Sequence, residues 1–70
     1  MNRYAEHGLK PGRRIIVLTF SRDGVPYHTS RYLYDTAASW AAHGLPEGVT
    51  VDRTDEPWDG TSHVTTDNGD

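Results

Sequence analysis

Residues 13–33 read RRIIVLTFSRDGVPYHTSRYL, and this stretch decides the fold. Residues 13–20 are dense in β-branched and aromatic side chains, which fit a pleated surface. A period of two puts Ile16, Leu18 and Phe20 on one face and Ile15, Val17 and Thr19 on the other. Both faces are apolar, which marks a central strand. Asp23-Gly24 follows between two β-prone runs, the strongest short hairpin signal, because a type I′ turn requires positive φ at both central positions. Residues 25–33 form the return strand. Pro26 has no N–H for a ladder bond, so this strand is an edge there or carries a bulge. A two-residue loop pairs Phe20 with Tyr27, Leu18 with Thr29 and Ile16 with Arg31. A bulge at Pro26 moves that register by one.

Beyond the hairpin, residues 35–43 predict a helix. Asp35 or Thr36 is placed to cap its N-terminus, and Ala37, Ala38, Ala41 and Ala42 are strong helix formers. Ala37, Trp40, Ala41 and Gly44 follow the spacing of a buried stripe, with Trp40 as the wedge against the sheet. An earlier start at Ser30 adds Leu33 to that stripe, but Tyr32, Leu33 and Tyr34 read as strand. Gly44 and Pro46 stop the helix. Residues 49–53 are a third strand, with Val49 and Val51 facing inward. The expected fold is α+β, a small two-layer β-β-α-β domain: an antiparallel β-hairpin and a third strand packed on one short helix.

The remainder is punctuation and tail. Residues 1–12 are a polar arm ending in Lys10-Pro11-Gly12, with Tyr4 and Leu9 as anchors and one helical turn over residues 2–7 that is too short to stand alone. Residues 13–59 make the domain. Residues 60–70 are expected to be a disordered polar tail, because Val64 is the lone apolar residue in the last ten and cannot order the segment by burial.

Composition narrows the function classes. Seventy residues suffice for one domain of marginal stability. The chain has no cysteine, which excludes a disulfide framework and a cysteine-based zinc site, and fits a reducing compartment. The longest apolar run, Ile15 to Leu18, is far too short to span a bilayer, and the first residues lack the apolar core of a signal peptide. The expected location is the cytoplasm, that of the host cell if the chain is phage-encoded, with no membrane partner.

Chemistry is sparse. His7, His28, His43 and His63 match no zinc spacing, so no metal and no cofactor is expected. His28 and Ser30 share a strand face, and Asp35 or Asp52 completes a hydrolytic triad only on paper, since a pocket and an oxyanion hole are also needed. No catalytic residue is assigned, and the chain is read as not an enzyme. Asp52, Asp55, Glu56 and Asp59 read as a solvated acidic loop, or as a mimic of nucleic-acid phosphate.

The partner reading starts from charge and from the uncovered sheet face. Residues 1–34 hold six basic against two acidic residues, and residues 35–70 hold one against eight. Attraction between the halves of one domain explains this, as does a charged partner. One helix covers one sheet face, so the other needs Leu9, Tyr4 or Trp58 from the same chain, a twin, or a foreign protein. The expected function is a non-enzymatic protein-binding module, of the kind a phage or mobile element uses as an accessory protein docking on a host factor. Six arginines among seven basic residues point to a high-GC coding genome. The expected contact residues are Arg14, Arg22, Tyr27, His28, Arg31, Tyr32 and Trp58. The alternative is a small nucleic-acid-binding domain that uses the same basic, aromatic hairpin.

Overall fold

In the computed structural model, which describes residues 7–68, three strands form one antiparallel sheet and one helix lies on it. The strands are β1 (Arg14–Arg22), β2 (Val25–Tyr32) and β3 (Val49–Pro57), and α1 is Asp35–Ala41. The sheet order is β2-β1-β3, so the doubly apolar strand is central. Strands β2 and β3 both run against β1. They are therefore parallel to each other, and their connection must cross over the sheet. Helix α1 is that crossover. The result is the expected β-β-α-β domain in two layers. Residues 2–6, with the Tyr4 anchor, lie outside the described residues.

The hairpin closes at Asp23-Gly24, with φ of 52° and 84°. These are the positive values a type I′ turn demands. Arg22 pairs with Val25 and Ser21 with Pro26, and then the register shifts so that Phe20 faces His28. Leu18 consequently pairs with Ser30 and Ile16 with Tyr32. The simple two-residue register is thus replaced by the bulged one. The extra residue is Tyr27, next to the proline that cannot donate a ladder bond.

Helix α1 corrects two expectations. Its N-cap is Tyr34, which makes no side-chain capping bond. Asp35 is already inside the first turn, and its carboxylate meets Arg53 of β3 at 2.6 Å. The second correction concerns phase. Ala38 is buried with Ile16, Leu18, Phe20 and Val49, and Ala41, Ala42 and Leu45 pack against them. Trp40 is 64% exposed. Ala37 is buried and Ala41 packs on the core as expected, but Trp40 and Gly44 are exposed, and Ala38, Ala42 and Leu45 lie against the sheet instead. Small alanines let the helix backbone approach the sheet closely, whereas an indole between them holds the layers apart. Gly44 at φ 65° supplies the left-handed stop.

Strand β3 continues to Pro57, through the stretch expected to be an acidic loop. Asp55 pairs with Ile16 and Glu56 with Ile15. Ladder bonds to β1 hold this segment, and carboxylates along an outer strand deter edge-to-edge association.

The second sheet face is covered by the chain's own ends. Leu9, Ile15, Val17, Leu33, Trp58 and Val64 form one buried cluster. Backbone bonds fasten it: Gly12 N–H donates to the Trp58 carbonyl and Trp58 N–H to the Arg13 carbonyl, each at 2.8 Å. Thr65 N–H donates to the Arg31 carbonyl, and Leu33 N–H donates to the Thr65 carbonyl. Thr65 thereby bridges Tyr32 in parallel. The segment expected as a disordered tail thus places Val64, 1% exposed, in the core. It need not order itself by burial alone, because Ile15 and Val17 already present an apolar floor and β2 offers unpaired backbone groups.

Candidate functional site

With both sheet faces covered, functional surface must come from what projects past the two small cores. Three places stand out.

The first is the hairpin end. The bulge turns Tyr27 outward, 57% exposed, beside exposed Val25. The Arg22 guanidinium lies over the Tyr27 ring at 5.9 Å from its centroid, within cation–π range.

The second is the outer face of α1. Thr36, Ser39, Trp40 and His43 line a shallow groove of about 310 Å³. The Trp40 and His43 rings meet edge to face at 5.9 Å. Helical spacing brings Thr36, Ser39 and Trp40 together on one side of α1, and His43, just past its end, is held by its N–H donating to the Trp40 carbonyl at 3.1 Å.

The third runs along the outer edge of β2, where Thr65 is bonded to it. His28, Thr29, Ser30, Arg31, His63 and Thr65 line a groove of about 290 Å³. Ser30 Oγ and His28 Nε2 share a hydrogen bond at 2.7 Å. The His28 ring also packs on Phe20, with centroids 5.9 Å apart.

Compared with protein-family models, curated proteins and solved structures, the chain matches none.

The predicted contact residues are dispersed. Arg14 and Arg22 stand at opposite ends of β1, about 26 Å apart at the rise of an extended strand. Arg14 is turned onto β3, where its guanidinium donates to the Asp55 carbonyl at 2.6 Å. Arg31 pairs with Val17 and so points to the opposite sheet face from both. Tyr32 packs against the helix-side core. Trp58 is 2% exposed, with its indole N–H donating to the Ser62 carbonyl. It is a core residue and offers no docking surface. Arg22 with Tyr27 is the pair that the fold does bring together, whereas His28 and Arg31 lie on opposite faces of β2.

The paper triad is not assembled. Asp35 is engaged with Arg53. Asp52 pairs with Thr19 on the far side of β1 from His28. Among the described residues no three histidines or carboxylates gather in a metal-ligating group. No helix among them is long and apolar enough to cross a membrane.

The acidic run is also divided. Asp52 and Glu56 alternate with Asp55 across the two faces of β3. Asp59 lies in the following turn, where it accepts from the Ser62 hydroxyl at 2.6 Å and from the backbone N–H groups of Ser62 and Thr61 at 2.8 Å. These bonds, led by the Ser62 hydroxyl, hold its carboxyl well below the usual carboxylate range.

Sequence reasoning missed Trp40 as a surface residue because two stripe phases fit the same alanine-rich helix. It missed His63 as a lining residue because that position depends on Thr65 pairing with β2.

Proposed function

We propose that this chain is a non-enzymatic protein-binding module that docks through the outer face of α1, with Trp40 as anchor. The observation that carries this reading is the 64% exposure of Trp40 in an otherwise economical fold. A 70-residue chain has little apolar area to spare for its core. Here two alanines are buried on the helix while its one indole is left in water. Tryptophan is favoured where binding energy concentrates. Tyr27 and Val25 at the hairpin end add exposed apolar contact area. The arginine-biased composition points to a high-GC coding genome, and a phage or mobile-element accessory protein docking on a host protein is the form of module proposed.

The spread of Arg14, Arg22 and Arg31 over two faces and two ends favours protein docking over the nucleic-acid reading, which needs clustered cations along a backbone track.

The test is capture from host lysate by the wild-type chain, by Trp40→Ala and by Tyr27→Ala. A specific partner retained by wild type and released by Trp40→Ala supports the proposal. Capture unchanged in both variants refutes it. Binding of labelled DNA or RNA that weakens steeply with salt supports the nucleic-acid reading instead.

A further inference from the structure

The phase of the ladders leaves one stretch of backbone open. The Trp58 N–H donates to the Arg13 carbonyl at 2.8 Å, so at residue 58 the backbone is turned toward β1. Along an antiparallel ladder that orientation alternates. Asp52, Thr54 and Glu56 therefore bond to β1, where they pair with Thr19, Val17 and Ile15. Val51, Arg53 and Asp55 turn their N–H and C=O groups away from the sheet. The other ladder has the matching phase. Thr65 bonds the Arg31 carbonyl on the outer side of β2, so Val17, which pairs with Arg31, turns its backbone toward Thr54.

The two outer edges are not equivalent. On β2, Pro26 has no N–H, the register breaks beside it, and Thr65 is bonded at Arg31 and Leu33. On β3, no strand among the described residues lies beyond the edge. Its two ends are closed. The Arg14 guanidinium donates to the Asp55 carbonyl at 2.6 Å, and the Val49 N–H donates to the Pro46 carbonyl at 3.1 Å. Between those closures the N–H and C=O of Val51 and Arg53, with the N–H of Asp55, face outward. An open edge of this kind is a template for an added strand.

We infer that the β3 edge takes up an extended basic segment of a partner protein as a further strand of the sheet. Backbone bonds carry the contact, and charge selects the occupant. Exposed Asp52 and Glu56 flank the edge on one sheet face, and exposed Asp55 flanks it on the other. Arg53 is already matched by Asp35 at 2.6 Å. An added strand sends alternate side chains to the two faces, so basic residues at successive positions meet carboxylates on both. A second copy of β3 brings carboxylates of its own and is opposed by like charge. The edge shares no residue with the Trp40 groove, so the inference stands apart from that docking reading.

The experiment is a titration of the full ¹⁵N-labelled chain with the capped peptide Thr-Lys-Lys-Val-Lys-Lys-Thr at fixed pH and ionic strength. A second arm uses the same peptide with glutamate in place of each lysine. The expected result with the lysine peptide is saturable shifts and slowed hydrogen exchange at the amides of Val51, Arg53 and Asp55. The amides of Asp52, Thr54 and Glu56 should already be protected in the free chain by their bonds to β1. The glutamate peptide should give no saturable shift. Asp52→Asn combined with Asp55→Asn, isosteric changes at exposed positions, should weaken binding of the lysine peptide about three- to tenfold. Absence of saturation at Val51, Arg53 and Asp55, or equal binding of the two peptides, overturns the inference. A free chain that sediments as a dimer with those three amides already protected also overturns it, since a second copy then holds the edge.

Discussion

The indole nitrogen of Trp58 donates to the carbonyl of Ser62 at 2.8 Å, and that bond ties the end of β3 to the segment that carries Val64 into the core. Trp58 is therefore both a wall of the second core and a clasp on the chain that closes it. Trp58→Ala should cost about 3–5 kcal/mol. A chain of this length has about 4–10 kcal/mol in total, so this variant should lose a large share of its stability. Trp58→Phe should cost less, near the value of a lost hydrogen bond plus a small void. Val64→Ala should cost about 1.5–3 kcal/mol. Urea denaturation of the three variants measures these losses. A near-neutral Val64→Ala contradicts the packed second face.

The helix phase makes a paired prediction. Trp40→Ala should change stability by no more than about 0.5 kcal/mol, because the indole is exposed. Ala38→Leu should destabilise by about 1–3 kcal/mol, because Ala38 is buried in one cluster with Leu18 and its neighbours, where added methylenes overpack the core. Thermal denaturation of both variants distinguishes this phase from its alternative, in which Trp40 is the costly position.

Asp59 gives a pH prediction. Its folded-state pKa is depressed by its bonds to Ser62 and Thr61. The stabilisation it lends to the turn is thus fully present above the ordinary aspartate value of about 3.9. It is lost as pH falls from there through the folded value. A carbon-detected carboxyl titration should find Asp59 still ionised where an ordinary aspartate is half protonated. Ser62→Ala should raise its midpoint toward the ordinary value, since the Ser62 hydroxyl is the leading cause. An ordinary midpoint in the wild type means that the turn is not formed.

Much of the fold is legible in local sequence. Asp23-Gly24 announces its turn through backbone sterics alone, and the run from Ile15 to Phe20 announces a central strand through its doubly apolar pattern. The bulge is foreshadowed by Pro26, though the residue it turns outward, Tyr27, is known only from the pairing. The candidate sites were less visible. His28 and Ser30 share a face by strand alternation, which is readable. The arrival of His63 beside them is not, since it rests on backbone bonds at Thr65 that any side chain could accompany.

Sequence by itself determined the element order, the edge and centre of the sheet, and the stop at Gly44, because each depends on φ/ψ preferences or periodicity within a few residues. Tertiary structure alone decided which phase of the helix is buried and what covers the second face. Two alanine stripes were equally helical, and only their fit against Leu18 and Phe20 selects one. A near-apolar-free tail cannot order itself. Val64 is buried because Ile15, Val17 and Trp58 already form its cavity and β2 has backbone groups left to pair, and both conditions exist only after the sheet has formed.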